Sequence, residues 1–290
     1  MRLFLVLAQE LHFGWAAMRL FITQSALSRQ IRALEGHLGV TLVERTSRTV
    51  ALTAAGQALL PEAREVVAAM SRLRHAANVQ ARQASGHLVI GSIGAEAAMP
   101  YSHAILVDLQ RNPDITIEIR NLNFIDHIQA LTRGDVDVVF LRPPVPAGIQ
   151  TLHLATEPRV ACLSADDALA DEPHLTLAQL ADRPVPDVPA DVPRVWWDHW
   201  IVNPRPDGSP MRYGPVVTDM ETLLHVVACG QAIIFLPAAA RHMFPRPGVR
   251  YVDVIDIPPS AAALAWLPKN RNRPTIAAVR EIALRRRNKR

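Results

Sequence analysis

Residues 11–56 read LHFGWAAMRLFITQSALSRQIRALEGHLGVTLVERTSRTVALTAAG. Leu11, Ala16, Ala17 and Leu20 continue a near-3.6 apolar period begun by Leu3 and Leu7, so the chain up to Leu20 is expected to be helical. Phe21-Ile22 interrupts the pattern, and Thr23 follows where its hydroxyl can take a free amide of the next turn. Leu27, Ile31, Leu34 and Leu38 then recur at spacings of four, three and four, the buried stripe of a further helix that Gly39 ends. From Val40 to Thr53 a looser alternation surrounds the polar Thr46-Ser47-Arg48-Thr49, the pattern of a short hairpin. Short helices joined by a tight turn and followed by a hairpin make a winged helix-turn-helix.

Opposite the apolar stripe stand Gln24, Ser25, Ser28, Arg29 and Arg32, with Thr23 at the helix start. Their chemistry suits a DNA groove. Gln can bond N6 and N7 of adenine together, the planar fork of Arg matches O6 and N7 of guanine, and Ser serves phosphates or base edges. Arg48 at the hairpin tip would reach a phosphate or the minor groove. A polar helix face is by itself more often only solvated. The adjoining wing, the charge distribution and the helix that follows decide for DNA.

That next helix is expected over 54–84, where Leu59, Ala63, Val66, Met70, Leu73 and Ala77 alternate by four and three residues, a heptad seam that would pair two chains. Pro61 falls in an early turn or kinks it, and Ser85-Gly86 closes it. Residues 1–86 hold ten Arg and no Lys against five Glu and no Asp, a net +5, whereas residues 87–284 carry −6 ahead of a basic terminal run. A basic front joined to an acidic body suggests a module for a polyanion attached to something else. Pro61 is also alone among the 23 prolines in lying before residue 87, as a helical front requires.

Beyond Gly86 apolar runs at 87–93, 115–119, 136–141, 160–163, 232–236 and 249–255 alternate with helical segments, the texture of parallel sheets covered by helices. Residues 182–215 contain eight prolines and are expected to be mostly irregular. At 290 residues the chain is long enough for about two domains. Two cysteines without metal-ligand spacing fit a reducing compartment, and the opening MRLFLVLA breaks at Gln9-Glu10 with no cleavage site after it, so a cytoplasmic protein without membrane partners is expected. No cofactor or metal motif is present in the sequence. An enzyme is disfavoured by the absence of GxSxG, HExxH, GxxxxGK[ST] and a strand-linked GxGxxG. A secreted solute-binding protein is disfavoured by the basic front and the missing export signal.

The 11–56 stretch closely resembles the amino-terminal domain of LysR-type transcriptional regulators, in Ala16-Ala17, SALSRQI, LE, LGV, the Arg45 of VERT, and LTAAG. GHLVIGSIG, NPDITIEI, LTRGDVDVVFLRPP and HVVACGQAIIFLP extend the resemblance along nearly all of the chain, loosely at 182–215. It implies an α/β protein with a winged helix-turn-helix at 1–56, a dimerising linker helix at 57–85, and an effector domain at 86–290 made of two α/β subdomains like a periplasmic binding protein. Implied partners are promoter DNA, a small-molecule effector in the cleft between the subdomains, a second copy in a dimer or tetramer, and RNA polymerase. Such relatives carry several residues ahead of the Arg2-Leu3-Phe4 position, which implies either a short first helix or a start further upstream. LHFG and FLRPP look most like the branch that regulates degradation of aromatic compounds. By that likeness Ala95 and Glu96 stand where many relatives have Ser and a small residue, so a hydroxyl for an effector carboxylate is missing and a negative charge is added. Asn123 stands where the branch often has Thr, Arg142 matches it, and Asp187 and Thr218 would complete the cleft. Glu96 would either pair with Arg142 or face a hydroxyl-bearing or cationic effector. Arg142 would otherwise pair with Asp135 or Asp137, Asn123 and Thr218 would otherwise cap helices, and Trp196, Trp197 and Trp200 would line the cleft or fill the core.

Overall fold

The structure, a computed structural model, describes residues 1–45 and 50–288 and divides into two compact units, 1–78 and 79–290. In the first, α1 (Arg2–Glu10), α2 (Phe13–Arg19) and α3 (Gln24–Leu38) are followed by a hairpin of β1 (Val43–Arg45) and β2 (Val50–Leu52) and by α4 (Ala54–Ala84), whose residues 79–84 belong to the second unit. Phe4, Leu7, Phe13, Ala16, Ala17, Leu27, Ile31, Leu42, Val43 and Ala63 close its core. The caps are local. His12 Nδ1 accepts from the Trp15 amide at 3.2 Å, Thr23 Oγ1 from Ala26 at 3.2 Å, and Thr53 Oγ1 from Gly56 at 2.9 Å. Gly39 ends α3 at φ +71°, in the left-handed region. Gly56 lies so close to the Leu42 carbonyl that an added Cβ would come within 2.1 Å of that oxygen. Glu35 Oε1 accepts from the amides of Leu42 and Val43 and so fixes α3 to the hairpin. The hairpin tip carrying Arg48 lies outside the described residues.

The second unit contains β3 (His87–Ile93), α5 (Pro100–Gln110), β4 (Thr116–Leu122), α6 (Asp126–Arg133), β5 (Val138–Leu141) and β6 (Gln150–Glu157). There follow β7 (Arg159–Ser164), β8 (Val185–Asp187), α7 (Arg194–Ile201), β9 (Tyr213–Val216), α8 (Met220–Ala228) and β10 (Ile234–Pro237). It ends with α9 (Ala240–Met243), β11 (Val249–Asp253), β12 (Ser260–Trp266) and α10 (Pro274–Arg287). One sheet has the order β4-β3-β5-β12-β6, the other β10-β7-β11, with β8 and β9 paired beside it. The chain passes from the first sheet to the second between Glu157 and Arg159, and returns ahead of Ser260.

The expectation of parallel sheets is corrected. β3 is parallel to β4 and β5, but β12 runs antiparallel to β5 and β6, and β7 is antiparallel to both its neighbours. Apolar runs report burial on both faces, not strand direction. β6 and β12 escaped notice because one alternates with polar residues and the other, SAAALAW, has no β-branched residue. The 182–215 segment is mostly irregular, as expected, and carries β8, α7 and the start of β9 within it. Leu88, Ile90, Val138 and Phe140 face α5 and α10, while Val89, Val139 and Leu141 belong to a larger core that continues into the second sheet.

Candidate functional sites

α3 presents two chemically distinct faces. Leu27 and Ile31 are completely buried, whereas Gln24, Ser25, Arg29 and Arg32 are exposed and Ser28 half-buried. Thr23 caps the helix and its Oγ1 lies 3.1 Å from Ser25 Oγ. Arg32 Nη2 donates to Ser28 Oγ at 3.2 Å, which holds one guanidinium along the exposed face. The face thus combines donors, acceptors and two cations on a helix anchored by the burial of Leu27 and Ile31. The exposed apolar Trp15 and Met18 were not singled out from the sequence; Phe21, where the helical pattern breaks, is 95% exposed at φ +55°, in the tight turn between α2 and α3.

On α4 the expected seam divides. Ala63 is buried and Leu59 half-buried in the first unit's own core, while Val66, Met70 and Leu73 are exposed. The expectation that Leu59 and Ala63 pair chains is therefore corrected: a single heptad stripe serves two surfaces in succession, and its first turns are spent inside the unit.

The second unit holds an apolar recess between its two sheets, partly open to solvent. It is lined from the first sheet by Ile93, Gly94, Ala95, Glu96, Phe124 and Arg142 and from the second by Trp196, Trp197, Trp200, Met220, Leu223, Leu236 and Phe244, among others. All three tryptophans are buried as well, so they are core and recess wall at once. Trp196 Nε1 donates to the Arg142 carbonyl and Trp197 Nε1 to the Pro186 carbonyl, both at 3.0 Å. Trp200 Nε1 is buried without an acceptor among the described residues.

Arg142, 4% exposed, is the hub of a buried polar cluster. Its Nε donates to Glu96 Oε1 at 2.6 Å, Nη1 to Ser260 Oγ at 2.9 Å, and Nη2 to Tyr101 Oη at 3.1 Å and to Glu157 Oε1. Tyr101 Oη donates to Glu96 Oε2 at 2.7 Å, and the second Glu157 oxygen accepts from the Ala239 amide. Burial and the neighbouring Glu96 charge raise the Tyr101 pKa and keep its proton in place. Burial pulls the Arg142 pKa down, but the charges of Glu96 and Glu157 outweigh it and leave it raised. Glu157 and Ser260 face each other where the two connecting strands cross, so Arg142 ties both crossings together.

Of the residues expected in the cleft, the structure brings Ala95, Glu96 and Arg142 together. The pairing of Arg142 with Asp135 or Asp137 is overturned: Asp137 lies against Arg82 and Arg273, and Asp135 against Arg133. Asn123, Asp187 and Thr218 are outside the lining. Asn123 Oδ1 accepts from the Asp126 amide at the start of α6, Asp187 pairs with Arg194 at 2.9 Å, and Thr218 donates to Asp219, which caps α8. Short polar residues beside helix starts satisfy local amides before they reach a cavity.

Residues 1–57 match the family described as bacterial regulatory helix-turn-helix proteins of the lysR family, and residues 81–288 match the LysR substrate binding domain. The chain is 33% identical over 274 residues to the HTH-type transcriptional regulator IlvR of Caulobacter vibrioides, covering 91% of this chain and 90% of that one. It is 32% identical over 246 residues to the regulator AlsR of Bacillus subtilis, covering 83% and 80%. Its fold is similar to that of full-length CbnR, solved in complex with its target DNA, at a TM-score of 0.61 and 23% identity over 98% of this chain and 97% of that one. A capped helix with one polar face ahead of a two-sheet ligand-binding body is the architecture of this family, and the chain belongs to it: it is a LysR-family DNA-binding transcriptional regulator with an effector-binding domain, not an enzyme.

Proposed function

We propose that this regulator acts in the cytoplasm, reads double-stranded promoter DNA with α3, and is switched by a small molecule in the recess between its two sheets. The observation that carries the reading is the division of α3, with Leu27 and Ile31 wholly buried and Gln24, Ser25, Arg29 and Arg32 displayed on the opposite face. Thr23, Gln24, Ser25, Ser28, Arg29 and Arg32 contact the DNA, and Arg48 at the hairpin tip contacts its backbone. The working divisions are a DNA-binding segment at 1–56, a linker at 57–85 and an effector domain at 86–290. Ala95 and Glu96 meet the effector directly, with Arg142 behind them. Asn123, Asp187 and Thr218 shape the loops around the recess.

A second copy covers Val66, Met70 and Leu73, in a dimer or tetramer that displays two copies of α3, and RNA polymerase is the further partner at a promoter. The names of relatives support this reading, in particular the regulators IlvR and AlsR and the DNA complex of CbnR. Selection from a pool of randomised duplexes tests it. The full chain should enrich one sequence with two half-sites spaced by one or more helical turns of about 34 Å, and the Gln24→Ala, Arg29→Ala double variant should enrich none. Enrichment of the same sequence by both proteins would remove α3 from DNA reading.

A further inference from the structure

A second space adjoins the second sheet. It is a cavity of about 310 Å³, partly open to solvent and bounded chiefly by Leu177, Leu180, Val185, Ile201, Ile233 and Phe235. Along β10 the side chains alternate between two spaces. Ile234 and Leu236 line the recess between the sheets, whereas Phe235, with Ile233 just ahead of the strand, lines this cavity. α7 divides in the same way, with Trp196, Trp197 and Trp200 at the recess and Ile201 at the cavity. The two spaces are therefore separate and share a wall. An apolar cavity of roughly 150 Å³ takes up benzene, so the room here suits one ring with substituents.

Two guanidinium groups flank the cavity, and neither has a carboxylate at ion-pair distance among the described residues. Arg205 lines it, and its donors go to neutral acceptors: Nη1 to the Ala181 carbonyl, Nη2 to the Arg183 carbonyl at 3.2 Å and Nε to Met211 Sδ at 3.1 Å. Ala181 is itself a lining residue, which places this guanidinium at the cavity's edge. Arg159 stands behind Phe235. Phe235 pairs with Ala161 of β7, two residues on from Arg159, so strand alternation sets Arg159 on the cavity face of the sheet, and its Cζ lies 5.7 Å from the Phe235 ring centroid. Arg159 is 2% exposed, donates to the His199 and Trp200 carbonyls, and has no acceptor for Nε among the described residues. Burial lowers its pKa only to about 10, so it is charged at neutral pH.

A buried charge without a counter-ion is strongly unfavourable, and a nearby anion relieves it. The two carboxylates of the lining do not fill that role. Asp207 and Asp256 are exposed, and they are engaged by the Ser209 amide and hydroxyl and by the Leu177 amide. Solvent screens an exposed charge far more than a buried one, so the two arginines set the sign of the field inside the cavity. We propose that this cavity is a second ligand site, separate from the recess, for a small apolar carboxylate of about one ring, its body against Ile201, Ile233 and Phe235 and its charge at Arg205.

Three ring compounds of one size and different charge test this by calorimetry on the full chain: cyclohexanecarboxylate, cyclohexanecarboxamide and cyclohexylmethylammonium. The carboxylate should bind roughly tenfold tighter than the amide, as a charge-assisted bond exceeds a neutral one, and the ammonium should not bind. Arg205→Gln should bring the carboxylate to the level of the amide and leave the amide unchanged, which also shows that the variant is folded. Ala178→Trp, which fills the cavity from an exposed lining position, should abolish binding of both. Ala95→Trp, at a half-buried lining position of the recess, should abolish neither. Carboxylate binding that survives Ala178→Trp, or that is lost in Ala95→Trp, would overturn the proposal, the second result placing the ligand in the recess. Full carboxylate affinity in Arg205→Gln, or amide or ammonium binding as tight as that of the carboxylate, would overturn the anionic class and the proposal with it. Binding of none of the three up to their solubility would do the same.

Discussion

Arg142 is held on opposite sides of its guanidinium by Glu96 and Glu157, and replacing it by Met would leave two carboxylates in a buried site. Loss of one partner from such a cluster costs about 3–5 kcal/mol, so Arg142→Met should unfold at markedly lower denaturant than wild type in equilibrium titrations. An unchanged midpoint would mean that the cluster is not structural. His127 gives a second prediction at this scale. Its Nδ1 is 2.8 Å from the Phe124 carbonyl, its Nε2 has no partner among the described residues, and burial lowers its pKa from 6.5 to about 4. The unfolded chain therefore binds this proton more readily than the folded one. The stability carried by the neutral ring is complete above about pH 6.5 and is lost as pH falls toward 4, by on the order of 3 kcal/mol. His199, also lowered to about 4 by burial and by the Arg159 charge, adds to the slope. Denaturation midpoints should drop between about pH 7 and pH 5, and drop less in His127→Gln. The sequence made Arg142 and Glu96 candidates, but Glu157, Ser260 and Tyr101 were invisible in it. Glu157 meets Ser260 only through the register of β6 with β12, and no local pattern encodes that pairing.

Among the elements, the helices of the first unit were legible from their 3.6-residue stripes, and α3 also from its Thr23 cap ahead of Leu27 and Ile31. Strand direction in the second unit was not, since Val138–Leu141 is buried on both faces whichever way its neighbours run. Close packing between elements gives a sharp test at Gly56. Ala is a better helix former by about 1 kcal/mol, but its Cβ would press on the Leu42 carbonyl, a backbone atom that cannot swing away. Gly56→Ala should thus lose about 1–3 kcal/mol and melt earlier than wild type. A raised melting temperature would show that propensity wins and that the contact is loose. For α4, Val66, Met70 and Leu73 are exposed, and they are the residues that the proposed assembly covers. Met70→Glu with Leu73→Glu should shift sedimentation to monomers, or to dimers held through the second unit alone, and should abolish tight operator binding. Unchanged assembly together with full binding would remove α4 from the interface.

Across the whole molecule, charge and chemistry are partitioned along the chain. Residues 1–86 carry +5, and residues 87–284 carry −6 together with the recess whose lining is almost wholly apolar. A polyanion is drawn to the first part and repelled by the body of the second, which keeps DNA reading and ligand sensing on separate surfaces. Ligand control then requires only that the effector favour one arrangement of the assembly over another. The most direct measurement is a fluorescence titration of the selected duplex at fixed salt with wild type, Arg29→Ala, Arg32→Ala and Ala95→Trp. If α3 reads the bases, each arginine variant loses roughly 1–3 kcal/mol at each half-site and much of its discrimination against random duplex, while Ala95→Trp stays within about 1 kcal/mol of wild type. Wild-type affinity and discrimination in both arginine variants would contradict the account at its centre.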